Sequence, residues 1–124
     1  MIARAKLRYL GVSAQKTRLV VDQVRGKGVG EAIGILHYSP KLVAKDVEKL
    51  VRSALSNAQQ KDPKVDVDRL VVSRATVDEG PPQKRMRARS MGRIYRILKK
   101  TCHVTVELNV LADGKRGTSA AARR

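Results

Sequence analysis

Apolar side chains recur along this chain at two different intervals, and the switches between them mark its elements. In residues 2–9, IARAKLRY, apolar and basic residues roughly alternate, which predicts a short strand with Lys6 and Arg8 on its outer side. Ser13 then offers an N-cap for a helix running to about Arg25. Thr17, Val20, Val21 and Val24 fall on one face of that helix, and Lys16, Arg18 and Arg25 towards others. Gly26 stops it. The stretch 26-GKGVGEA-32 follows a helix, and its glycines lack the dinucleotide-binding spacing, so it reads as a turn leading to a short helix over about 30–36.

Ser39-Pro40 predicts the next helix start, with Ser39 as N-cap, Pro40 at the first helical position, and Tyr38 and Val43 paired around it as a staple. That helix runs to about Gln59. Val43, Val47, Leu50, Val51, Ala54, Leu55 and Ala58 form its broad apolar stripe, while Lys41, Lys45, Glu48, Lys49 and Arg52 cover the rest. Asp62-Pro63 ends it, because proline pushes the preceding residue out of the helical region. Residues 65–77, rich in valine, read as strand. In 101-TCHVTVELNV-110, Cys102, Val104, Val106, Leu108 and Val110 alternate strictly with polar residues, the pattern of a half-buried antiparallel strand. Helices massed ahead of the main strand pair predict an α+β fold, the helices packed on one face of a small antiparallel sheet. Residues 1–110 are expected to form one globular domain. The small, basic remainder, 111–124, has nothing to bury and is expected to be disordered.

Charge changes this picture. The net charge is +16 and the pI near 10.8, which favours a polyanionic partner over the ordinary acidic or neutral surface of a small enzyme. The excess is concentrated: 80-GPPQKRMRARSMGRIYRILKK-100 carries eight cations and no acid. Only three aromatic residues are present, Tyr9, Tyr38 and Tyr95, which argues against a single-strand binder that stacks many bases and for contacts to a folded, mostly paired nucleic acid. No apolar run reaches the length of a membrane span, and no secretory signal pattern opens the chain, so an intracellular, soluble protein with no membrane partner is expected.

No catalytic constellation emerges, and the chain reads as a non-enzyme without metal or cofactor. Cys102 and His103 are neighbours on a strand, so their side chains point to opposite faces and cannot share a metal ion. Cys102 belongs to the apolar row and reads as a core thiol. Asp66 and Asp68 share a face at i, i+2, yet without a third ligand they read as solvated carboxylates.

For residues 80–100 two conformations stay open on local pattern alone. Ile94, Ile97 and Leu98 have helical spacing, which allows a basic helix. Alternatively the flanking strands continue outward as a β-hairpin turning near 88–92, each arm of about ten residues reaching on the order of 30 Å. Such a ribbon is marginal in water by itself. A basic ribbon also suits the DNA minor groove, although architectural proteins of that kind typically dimerise through an extended apolar face, which is not evident here.

The run 84-KRMRARSMGRIYRILKKTCHVTVEL-108 resembles the signature of the large-subunit ribosomal protein twenty-two family, bacterial or organellar type. The matching positions are Lys84, then Arg89, Ser90, Gly92 and Arg93, then His103 with alternating apolar residues. The stretches 13-SAQKTRLV-20, 25-RGK-27, 53-SALSNA-58 and 77-VDEGP-81 add to the likeness, which covers about residues 2–110. The extension 111–124 departs from shorter members and takes no function by resemblance.

The resemblance implies three helices on a three-stranded antiparallel sheet, with a long β-hairpin at about 80–100. It implies a structural constituent of the cytoplasmic ribosome that bridges 23S-type rRNA domains during assembly, contacts neighbouring ribosomal proteins and acts without forming a homo-oligomer. The rRNA-binding residues so implied are Ser13, Lys16, Arg18, Lys84, Arg85, Arg87, Arg89, Arg93, Arg96, Lys99 and Lys100, and the basic Lys6, Arg8 and Arg25 are expected to join them. The hairpin tip, Arg87, Ala88, Arg89, Ser90, Met91, Gly92 and Arg93, is implied to line the exit tunnel beside the nascent peptide.

Overall fold

The computed structural model describes residues 3–110. Strand β1 (Ala3–Leu10) is followed by helices α1 (Ala14–Val24), α2 (Val29–His37) and α3 (Val43–Lys61). A 3-10 turn at Val67–Arg69 leads into β2 (Leu70–Glu79). Then come β3 (Gln83–Ala88), a second 3-10 turn at Ser90–Gly92, β4 (Ile94–Lys99) and β5 (Cys102–Val110). The expected tail, 111–124, lies outside the described residues.

The fold is α+β. β5 is the middle strand of an antiparallel sheet ordered β1-β5-β2. Its strict alternation suits that place: Cys102, Val104, Val106 and Leu108 are fully buried on the face the helices cover. One apolar cluster joins them to Val20, Val21 and Val24 of α1, Leu36 of α2 and Val47, Val51 and Ala54 of α3. Each fully buried valine or leucine contributes roughly 1.5–3 kcal/mol relative to exposure. Thr17 sits inside this cluster without leaving a polar group orphaned. Its hydroxyl donates to Ser13 O at 3.0 Å, so it can accept from the Cys102 thiol 3.4 Å away. Cys102 is thus a core thiol, as its row predicts.

Four local expectations shift. α3 begins at Val43 rather than at Ser39-Pro40. The Ser39 hydroxyl makes only a 3.4 Å bond, to Lys41 N–H, and the entry turn closes by i→i+3 bonds from Ala44 N–H to Lys41 O and Lys45 N–H to Leu42 O. The expected staple is absent: Tyr38 is 84% exposed and sits edge-on to His37, ring centres 4.9 Å apart. β2 starts at Leu70, not Val65, because the Asp66 carboxylate accepts from Asp68 N–H at 3.0 Å and winds the chain into the 3-10 turn. Val110 leaves the buried row and is exposed at the end of β5.

Residues 83–99 take the ribbon form, not the helix. β3 and β4 pair antiparallel as a two-stranded sheet of their own. Each arm has six residues where about ten were expected. Pro81 and Pro82, which lack the N–H a ladder needs, separate β2 from β3.

Candidate nucleic-acid interface

The register of the hairpin decides how it carries its charge. Lys84 faces Leu98, Arg85 faces Ile97, Met86 faces Arg96 and Arg87 faces Tyr95, with Gln83 opposite Lys99 and Ala88 opposite Ile94. No cation stands directly across from another, which avoids the most repulsive arrangement on a sheet. Facing pairs share a side and successive pairs alternate. Arg85, Arg87 and Lys99 therefore occupy one face, Lys84 and Arg96 the other. Both faces are basic. Of residues 83–99 only Ile97 is half-buried and the rest are exposed. None of the segment's eight cations forms an ion pair among the described residues.

At the tip, Arg89 N–H donates to Arg93 O at 2.8 Å and closes the turn. Met91 and Gly92 take the left-handed conformation there, at φ 63° and 70°. Glycine does so freely and methionine at a cost. Met91 is 92% exposed, so its side chain has no packing role within the described chain. The expected tip residues Arg87, Ala88, Arg89, Ser90, Met91, Gly92 and Arg93 are all brought to this end.

Where the hairpin joins the body, a small network holds the crossing. Gly80 N–H donates to Thr101 O at 2.9 Å, and the Thr101 hydroxyl donates to Pro81 O at 2.9 Å. A Cβ on Gly80 would stand 2.5 Å from Thr101 Oγ1 and 3.1–3.2 Å from the His103 ring, so the close approach itself requires glycine.

The body cations divide into two groups. Lys6 and Arg8 on β1 and Lys16 on α1 are exposed, and Ser13 caps α1 with no side-chain bond to its backbone. Arg18 and Arg25 are instead turned onto the open edge of β2. Arg18 Nη2 donates to Val77 O at 2.9 Å. Arg25 donates through Nε and Nη2 to Ala75 O at 3.0 and 2.7 Å, and through Nη1 to Asp22 at 2.7 Å. Gly26 N–H and Lys27 O pair with Val72 just beyond. These contacts cover carbonyls that an edge strand would otherwise offer to another chain.

Sequence reasoning passed over Arg4 and Arg74. In the sheet register they stand on either side of Glu107, on the side turned away from the helices. Strand alternation in β1 and β5 was the available signal, but the bulge in β2 between Val72 and Arg74 shifts its parity. Among the described residues no group of three or more His, Cys, Asp or Glu could hold a metal ion, and no helix is long and apolar enough to cross a membrane.

Residues 5–109 match the family model for Ribosomal protein L22p/L17e. The chain belongs to this family. Relatives named Large ribosomal subunit protein uL22 agree. The one from Anaeromyxobacter sp. is 54% identical over 104 residues, covering 84% of this chain and 72% of the relative. That from Syntrophotalea carbinolica is 54% identical over 109 residues, covering 88% and 98%. That from Geobacter sulfurreducens is 54% identical over 113 residues, covering 91% and 98%. Membership makes the chain a structural component of the large subunit in the cytoplasmic ribosome, and not an enzyme.

Proposed function

We propose that this ribosomal protein binds and bridges domains of large-subunit rRNA during assembly, with residues 87–93 at the tip forming part of the exit-tunnel wall. The observation that carries this reading is the two-sided basicity of the hairpin: Arg85, Arg87 and Lys99 on one face, Lys84 and Arg96 on the other. A ribbon that docks on a single surface needs cations on one face only. Cations on both faces suit a ribbon surrounded by phosphates, where it relieves repulsion between RNA segments that approach from opposite sides. An uncharged partner across each rung keeps these cations apart until the RNA neutralises them.

In this reading the exposed Lys6, Arg8 and Lys16, with the half-buried Ser13, add rRNA contacts on the body, neighbouring ribosomal proteins cover part of what remains, and the nascent peptide passes the tip. The protein acts as a single copy. Binding to 23S-type rRNA, followed by filter retention against salt, tests it. With roughly eight phosphate contacts the log–log slope is expected at about −6 to −7. A nearly flat response overturns the electrostatic bridge.

A further inference from the structure

At the base of the hairpin lies a cleft whose aromatic ring, Tyr9, the electrostatic bridge leaves unused. On β1 the register jumps from Leu7 opposite Val104 to Leu10 opposite Cys102, so Arg8 and Tyr9 together face the single residue His103. This bulge is completed by Tyr9 in the left-handed region, φ 58°, which is strained for a bulky side chain. Two contacts hold it there. Tyr9 N–H donates to His103 Nδ1 at 3.0 Å, and the two rings meet edge to face at 4.9 Å.

The strained backbone does not tuck the ring away. Tyr9 is 64% exposed, so core packing does not account for the conformation. The ring opens onto a cleft of about 530 Å³ lined also by Gly11, Pro81, Pro82, Lys99 and Lys100. That volume suits one small-molecule-sized group. The lining holds two cations and no acid, and neither lysine has an ion-pair partner among the described residues. Strain kept at an exposed ring beside unpaired charge points to a ligand.

We infer that this cleft captures one unstacked rRNA nucleotide, its base against Tyr9 and its phosphate at Lys99 and Lys100. The inference rests on the rRNA-binding reading above. An aromatic face accepts any base by stacking, and lysine serves as a point charge for the phosphate. The chain's scarcity of aromatic residues excludes a run of stacked bases, and a single site is compatible with it. An apolar peptide segment would leave both lysines unpaired.

Tyr9→Asn removes the ring while keeping a residue that tolerates positive φ, and Tyr9→Phe keeps the ring. Both are compared with the unaltered chain for affinity to 23S-type rRNA over a range of salt, after circular dichroism. Loss of one stacked base weakens binding roughly 5- to 150-fold. The expected result is that loss for Tyr9→Asn, near-full affinity for Tyr9→Phe, and an unchanged salt slope for both. Ultraviolet crosslinking in assembled subunits should join Tyr9 to an unpaired nucleotide. Equal affinity of Tyr9→Asn and the unaltered chain overturns the inference, as does a crosslink from Tyr9 to protein alone. Failure of the unaltered chain to bind rRNA overturns the underlying reading instead.

Discussion

Arg25 and Ala75 are joined by two hydrogen bonds, from the guanidinium Nε and Nη2 to one carbonyl oxygen, at 3.0 and 2.7 Å. The carbonyl belongs to an edge strand and the arginine to the end of α1, so a residue with the composition of a nucleic-acid contact also makes bonds within the fold. Replacing Arg25 by alanine is expected to lower the stability of the free chain by about 1–2 kcal/mol, because the edge carbonyl keeps access to water. Arg25→Lys restores only part, since a point charge cannot repeat the fork. Urea titration measures both. Equal midpoints for all three chains would show that the contact contributes nothing.

The same geometry separates arginines that bind within the chain from cations free to bind RNA. Replacing Arg87, exposed on the hairpin, by glutamine should flatten the salt slope of rRNA binding by roughly 0.7–0.9. Replacing Arg25 by glutamine should leave that slope unchanged. Identical slope changes for the two variants would mean that the edge of β2 and the hairpin meet RNA alike.

The uneven legibility of this chain has a physical cause. Period alone places Thr17, Val20, Val21 and Val24 on one buried face, and Cys102 to Leu108 in one buried row, because those patterns are local. The role of Arg25 depends on a carbonyl 50 residues away, and the bulge at Tyr9 on an imidazole 94 residues away. Neither leaves a local trace. The start of α3 departs for a different reason: Ser39-Pro40 has good capping chemistry, but the Ser39 hydroxyl makes only a 3.4 Å bond and residues 41–45 enter the helix through i→i+3 bonds. At 83–99 local pattern leaves ribbon and helix both open, because a ribbon with mixed faces has no clean period of two, and only the family likeness favours the ribbon.

Gly80 is expected to be the most sensitive position of the hairpin base. Gly80→Ala sets a methyl 2.5 Å from Thr101 Oγ1, a distance that forces movement. The expected cost is about 1–3 kcal/mol from overpacking and from disturbance of the Thr101–Pro81 bond. Combining it with Thr101→Ala removes the clashing oxygen, so the double variant should lose less than the sum of the singles. Strict additivity by thermal denaturation would show that the two residues do not press on each other.

Deleting residues 86–93 tests whether the hairpin contributes to the core at all. The deleted side chains are exposed, and none belongs to the apolar cluster formed by the helices and the three-stranded sheet. The rungs left behind, Gln83 with Lys99, Lys84 with Leu98 and Arg85 with Ile97, sit next to the neck, where the Gly80 and Thr101 bonds remain to close the shortened loop. The truncated chain should therefore keep its helical circular dichroism and unfold within a few degrees of the full chain. Its rRNA affinity should fall and its salt slope should flatten, because Arg87, Arg89 and Arg93 go with the tip. Loss of helical signal on truncation would mean that the hairpin, for all its exposure, is needed to hold β2 and β5 in register.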